Sequence, residues 1–325
     1  MKAWLVEQHS DAYDMRLADV ETPSPEPGRS LLRVEAVALN FSDLLMMRGA
    51  FHVEAPLPFT PGREVAGTIA DPAPGSRFQA GDRVACLIPF GGFAEHTLIE
   101  DAQAIALPAS VPAADAATFP ISTMTAHMAL HHFGRLQAGE SVLIHAAAGG
   151  VGLAAVQIAK AAGARVVAVA GGEARIAAAR SAGADTVIDH RTEDWPQAVK
   201  QDGEGRGVNV VLDTMGGDVT AASQRCLRFG GRHLIIGFSL GAPGAVDLGA
   251  LLGRGTQVIG VHWRHGPDAE AIDAAVADIL ALHASGALRP VLDRSFAFDA
   301  IPDAITAMAE RRLIGKAVFE VSADG

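Results

Sequence analysis

The segment Ser141–Gly152, SVLIHAAAGGVG, constrains this chain more than any other. Apolar residues run into a glycine cluster, which opens onto the alanine-rich stretch Val151–Ala162. A β-branched half and an alanine-rich half divided by glycines read as a buried strand, a tight turn and a buried helix. Val142–Ala159 is apolar apart from His145 and Gln157, and its length approaches the ~18 residues of a membrane span. The glycine division favours strand plus helix, so no span is expected.

Between strand and helix lie Ala147, Ala148, Gly149, Gly150, Val151 and Gly152, a dinucleotide fingerprint with alanine in its first glycine position. Glycines there let backbone amides approach a pyrophosphate, and the helix N-terminus adds partial positive charge. The unit repeats with a strand at Ala164–Ala170 and a helix at Glu173–Ala182. A carboxylate about 20 residues past the fingerprint binds the ribose 2′-hydroxyl of NADH. Ala170 occupies that place, and Arg175 follows within reach of a 2′-phosphate. NADPH is therefore expected over NADH. The alternative is that Arg175 is a solvated charge and Glu173 binds the ribose.

Further strands are predicted at Val208–Asp213, Gly231–Phe238 and Thr256–Trp263, within a six-stranded parallel doubly wound sheet. Before about Phe119 the pattern is instead one of short strands punctuated by Pro and Gly, a β-rich, barrel-like region. After Pro267 come a helix (Asp268–Ala284), a strand (Arg294–Phe298), a helix from about Ile301 to Glu310 and a last strand, Ala317–Val321, expected to return to the first region. The net charge of −11, without a basic run, argues against nucleic acid or an anionic membrane as the partner and for a small molecule. The two cysteines, Cys86 and Cys226, form no CxxC pair, so neither a disulfide framework nor a four-cysteine zinc lobe is expected. The N-terminus lacks the apolar core of a signal peptide, and the cytoplasm is the expected compartment. His127 and His131 stand four apart on a predicted helix, but no carboxylate completes an HExxH arrangement, and they are expected to pack as polar helix residues.

Several motifs taken together, Asn40-Phe41-Ser42-Asp43, Pro61-Gly62-Arg63-Glu64-Val65-Ala66-Gly67, the AAAGGVG run, Val211-Leu212-Asp213 with Gly216-Gly217, Ile236-Gly237-Phe238 and Ile314-Gly315-Lys316, resemble the quinone oxidoreductase (zeta-crystallin-like) group of the medium-chain dehydrogenases/reductases. The resemblance implies a GroES-like β-rich catalytic domain (1–119), a Rossmann NADPH-binding domain (120–263) and a C-terminal segment (264–325) returning to the catalytic domain. Zinc-bearing relatives have a cysteine near the position of Asn40 and a histidine at that of Arg63, so neither catalytic nor structural zinc is expected. The resemblance places Asn40 and Thr125 at the nicotinamide, with backbone around Met215, Gly216, Gly237 and Phe238 beside it. It places His190 near the adenosine phosphate and Lys316 near the pyrophosphate or 2′-phosphate. Phe51 stands where many relatives carry a tyrosine.

The implied activity is hydride transfer from NADPH to a quinone or similar conjugated carbonyl, with Asn40 and backbone amides steadying the oxyanion. The rivals are a 2-enal, enone or enoyl-thioester reductase and a non-catalytic NADPH-binding protein. A homodimer through the sheet edge at Thr256–Trp263 is also expected.

Overall fold

The computed structural model describes residues 1–203, 205–294 and 296–321. Its chain forms two compact units, one comprising Met1–Ile121 and the residues from Pro290 onward, the other Ser122–Arg289. The return to the first unit thus begins at Pro290 rather than at 264, and the long helix expected to return belongs to the second unit.

In the first unit, β1 (Lys2–Leu5) and β2 (Arg16–Asp19) form an antiparallel pair. The strand β3 (Arg29–Ala38) leads into the short helix α1 (Phe41–Met47). Next come β4 (Glu64–Asp71), β5 (Arg83–Leu87), β6 (His96–Glu100), β7 (Ile105–Ala106) and a single helical turn, α2 (Ala113–Ala116).

The second unit starts with the short helix α3 (Met124–His127). Strands and helices then alternate: β8 (Ser141–Ile144), α4 (Gly150–Ala161), β9 (Arg165–Ala170), α5 (Glu173–Ser181), β10 (Thr186–Asp189), α6 (Trp195–Asp202), β11 (Val208–Asp213), α7 (Gly217–Gln224) and β12 (Leu227–Ile235). The unit closes with α8 (Leu248–Arg254), β13 (Gln257–Gly260) and α9 (Ala269–Ser285). All pairings are parallel, in the order β10-β9-β8-β11-β12-β13. This is the doubly wound order whose chain reversal lies between the first and fourth strands, here β8 and β11. Leu143, Val167, Val169, Ile188 and Val211 fill part of its core. The last two strands differ from expectation. β12 ends at Ile235 because its neighbour β11 ends opposite, at Asp213. β13 stops at Gly260, opposite Ile235, because no further ladder partner remains.

Back in the first unit, β14 (Leu292–Asp293), α10 (Ile301–Ala309) and β15 (Lys316–Glu320) complete a sheet ordered β14-β15-β3-β4-β5-β7, with β6 also on β3. Ser295, within the expected strand Arg294–Phe298, lies outside the described residues; the short strand in this region is Leu292–Asp293. The end of β3 is flanked on both sides, by Glu64 of β4 opposite Ala38 and by Val318 of β15 opposite the same residue. Phe93 and Phe319 pack edge to face at 5.9 Å in the core beneath.

Candidate functional site

In the second unit, three loops follow three neighbouring strands, β8, β11 and β12, at their C-terminal ends, where ligands of open α/β sheets bind. The first turns sharply after β8, with Ala146 in the left-handed region (φ 47°). A Cβ on Gly152 would lie 2.3 Å from the Ala146 carbonyl oxygen, so only glycine lets α4 approach β8 this closely. Gly149 caps α4 without a side-chain hydrogen bond. The amides of Gly150, Val151 and Gly152 open the helix with no side-chain cap, an arrangement suited to binding an anion. Ala147 is fully buried, its N–H donating to the Val169 carbonyl. These residues fit a pyrophosphate.

The second loop is organised by a residue of the Val211-Leu212-Asp213 motif to which sequence reasoning assigned no role. Asp213, fully buried at the end of β11, accepts hydrogen bonds from the Met215 N–H (2.8 Å), the Gly216 N–H (3.2 Å) and the Thr220 hydroxyl (2.6 Å). His233 Nε2 lies 3.2 Å from its other side. Burial raises the Asp213 pKa, but the bonds from His233, Thr220 and Met215 outweigh it and hold the carboxyl at about 2. Its anchors fix the Met215–Gly216 turn. Nearby, His145 is buried with its Nε2 2.7 Å from the Ser223 hydroxyl, and burial lowers it to about 4. The third loop is zipped to the second: the Ser239 and Leu240 amides donate to the Thr214 and Met215 carbonyls. Phe238 is 43% exposed, so it is no core residue, and its ring packs on Gly216, where a Cβ would lie 3.0 Å away. Gly237, beside it, is half-buried.

At the end of β9, Ala170 is followed by Gly171 and Gly172, whose missing side chains leave room for His190 and Arg191. A Cβ on Gly171 would lie 2.4 Å from His190 Nε2, and one on Gly172 2.6 Å from an Arg191 guanidinium nitrogen. Asp189 receives the Arg191 and Gly172 amides, and the first of these does most to lower its pKa. Arg175 sits half-exposed in the first turn of α5. Arg191 is the cation missed at this end, although it adjoins His190 in sequence. Thr125 is half-buried on α3, and its hydroxyl accepts a bond from the Trp263 indole at 3.3 Å. His127 and His131 pack ring on ring at 4.6 Å, and His127 reaches Asp278 at 3.2 Å. Among the described residues no three His, Cys, Asp or Glu side chains cluster as a metal site. Nor is any helix among them long and apolar enough to cross a membrane.

In the first unit, Asn40 follows β3 directly and is held from both flanking strands. Its amide nitrogen donates to the Ala38 carbonyl and to Glu64 Oε2, both at 3.2 Å. Its Oδ1 accepts from the Lys316 ammonium. A carboxylate on one side and an ammonium on the other fix the amide orientation chemically. Lys316 also pairs with Glu64 at 2.8 Å, their side chains 7% and 0% exposed. The second Glu64 oxygen accepts the Ile121 N–H at 2.7 Å.

Two expectations are corrected here. Lys316 is not a free cation for a cofactor phosphate, because its ammonium is buried against Glu64 and Asn40. Asn40 has no amide hydrogen left for an oxyanion, because protein acceptors take both. Next to Glu64, the Arg63 guanidinium lies 4.7 Å over the Phe51 ring and donates to the Ser42 hydroxyl (3.1 Å) and the Pro89 carbonyl (3.2 Å). Asp43, in the first turn of α1, accepts the Asn40 N–H at 2.7 Å, and burial pushes its carboxyl up to about 6.

Residues 26–109 match the alcohol dehydrogenase GroES-like domain, and residues 150–280 match the zinc-binding dehydrogenase domain. The chain is 32% identical over 310 residues to quinone oxidoreductase-like protein 2 of Rattus norvegicus, covering 93% of this chain and 88% of the relative. It is 32% identical over 327 residues to the human synaptic vesicle membrane protein VAT-1 homolog, covering 95% and 83%. The Escherichia coli quinone oxidoreductase complexed with NADPH superposes with a TM-score of 0.90 at 27% identity, covering 99% of this chain and 100% of that one. With a GroES-like unit, a Rossmann unit and these relatives along its length, the chain belongs to the quinone oxidoreductase group of the medium-chain dehydrogenase/reductase family.

Proposed function

We propose that this oxidoreductase uses NADPH to reduce a quinone or a similar conjugated carbonyl, without zinc. The observation that carries the reading is the set of strand-end loops in the second unit. An uncapped glycine turn suits a pyrophosphate, and Ala170 stands in place of the acidic NADH selector. Gly171 and Gly172 make room for His190 and Arg191, with Arg175 one helical turn on. Three side chains that can carry positive charge suit a 2′-phosphate. The cofactor, when bound, supplies the hydride. The protein's part is to orient it through the Asp213-anchored turn and Phe238.

Against zinc stands the chemistry of the donor set. Where zinc-bearing relatives carry cysteine and histidine, this chain has Asn40 and Arg63, and the Lys316 ammonium already occupies Asn40. A dication would meet two positive side chains. For quinones over enals stands Phe51. Protonating carbon calls for a positioned acid, whereas a reduced quinone leaves as an oxyanion that water protonates. Phe51 has no hydroxyl, and Tyr13 is the only tyrosine in the chain.

The test is a steady-state panel of quinones, 2-enals and enoyl thioesters with each nicotinamide cofactor. Quinones with NADPH should have the highest kcat/KM, and exhaustive chelation should leave it unchanged. Faster turnover of an enoyl thioester, or stoichiometric zinc by elemental analysis, would overturn the reading. Cofactor binding without turnover of any acceptor would favour a non-catalytic NADPH-binding role.

A further inference from the structure

The engagement of Asn40 leaves a question of charge. An acceptor carbonyl that takes up hydride becomes an oxyanion, and a preorganised donor aimed at it is the largest single aid a protein can give. Both Asn40 amide hydrogens are bound within the protein, and the Lys316 ammonium is buried against Glu64. Arg63 is the next residue along the chain. Its guanidinium offers five N–H donors. One on Nε goes to the Pro89 carbonyl and one on Nη1 to the Ser42 hydroxyl, while among the described residues no acceptor takes those of Nη2. The half-buried side chain sets its guanidinium carbon 4.7 Å from the Phe51 ring centroid, and the Phe51 ring lies 4.1 Å from that of His52, centroid to centroid. Burial lowers the Arg63 pKa, and the Asp43 and Glu64 carboxyls act in the opposite sense. A guanidinium fixed by hydrogen bonds at two of its nitrogens, held over an aromatic ring and open at the third, is preorganised to donate to an oxygen approaching past that ring.

We infer that Arg63 is the acceptor-binding cation of this protein, donating through its free Nη2 edge to the carbonyl oxygen of a quinone stacked beside Phe51. This rests on the proposed function, which places Phe51 at the acceptor. The bound reduced nicotinamide would supply the hydride, one proton with two electrons, and be oxidised in turn. The quinone becomes the hydroquinone monoanion, whose charge Arg63 faces. Water then supplies the proton that completes the hydroquinone. Arg63 keeps its own proton throughout.

The test needs no cofactor. 2-Hydroxy-1,4-naphthoquinone is an anion at neutral pH and mimics the developing oxyanion, whereas 1,4-naphthoquinone is its neutral parent. Binding of both to the cofactor-free protein is measured by fluorescence quenching for the unmutated chain, Arg63→Gln and Arg63→Lys. Arg63→Gln should bind the anion about tenfold or more weakly, with a much smaller change for the neutral parent, and Arg63→Lys should keep part of the anion's advantage. Should a variant misfold, a salt titration of the unmutated protein decides instead: the anion's affinity should fall with ionic strength and the parent's should not.

Equal affinity of Arg63→Gln and the unmutated chain for the anion would overturn the inference. So would equal losses for both probes in both variants, the mark of a mere strut between Ser42 and Pro89. Failure of the unmutated protein to reduce any quinone would sink the proposed function, while the binding comparison would still decide the charge role of Arg63.

Discussion

At the residue scale, the two buried clusters make opposite demands on pH and on charge. Lys316 and Glu64 are sustained by each other and by Asn40, so losing one partner costs more than losing both. Lys316→Met, which strips a buried carboxylate of its ammonium, should destabilise by about 3–5 kcal/mol in denaturant unfolding. The pair Lys316→Met with Glu64→Gln should recover most of that; additive losses would show the pair to be uncoupled. Asp43 and His145 bear on acid stability. Burial raises the Asp43 carboxyl from 3.8 to about 6, so the folded chain holds that proton more tightly than the unfolded one. Its contribution is full below pH 3.8 and is lost as pH rises through 6. Burial lowers His145 from 6.5 to about 4, so its contribution is full above pH 6.5 and is lost as pH falls through 4. Each shift is worth about 3 kcal/mol, and between pH 4 and 6 the two oppose. Asp43→Asn should therefore make stability climb steadily from pH 4 to 6.5, whereas His145→Gln should make it decline from pH 4 to 6. Unfolding free energies measured across that range would reveal slopes of the wrong sign if either environment were misread.

At the element scale, the features that came from sequence alone are those carried by local pattern. The β8–turn–α4 unit is written in twelve consecutive residues, because the change of period and the need for glycine both act within one turn. Gly152→Ala tests that reading: with its Cβ 2.3 Å from the Ala146 oxygen, α4 must move away from β8. A loss of about 1–3 kcal/mol is expected, the range for forced overpacking, together with a cofactor affinity lowered at least tenfold in a fluorescence titration. Unchanged affinity would mean that the turn does not cradle the cofactor. What could not be read locally was joined by pairing. Glu64 and Lys316 reach Asn40 across separations of 24 and 276 residues, through the two strands that flank β3. Asp213 and His233 meet only because β11 and β12 lie side by side. Strand ends were misplaced for the same reason, since a strand stops where its neighbour stops, and an apolar run such as Ile259-Gly260-Val261 cannot announce that.

At the scale of the whole molecule, the Rossmann sheet is left with an open side. β13 is one of its two edge strands, four residues long and, among the described residues, paired to β12 alone. Beside it in sequence, α8 buries none of its residues, and Leu248 and Leu252 are 74% and 87% exposed. Phe229, on β12, is 81% exposed, with its ring against Gly255 at the end of α8. Single exposed leucines need no explanation, but three large exposed apolar side chains on α8 and on β12, the strand next to the edge, are solvated poorly and invite another chain. A second copy brings the same edge and the same helix, so a two-fold axis across β13 would pair the strands and cover the leucines on both partners at once. We therefore expect a homodimer at micromolar concentration in light scattering. Leu252→Lys with Leu248→Lys should shift it to monomer without loss of helical content by circular dichroism, because neither side chain packs in the core of its own unit. A monomeric unmutated protein, or a dimer indifferent to both substitutions, would place the association elsewhere and leave this apolar edge without a partner.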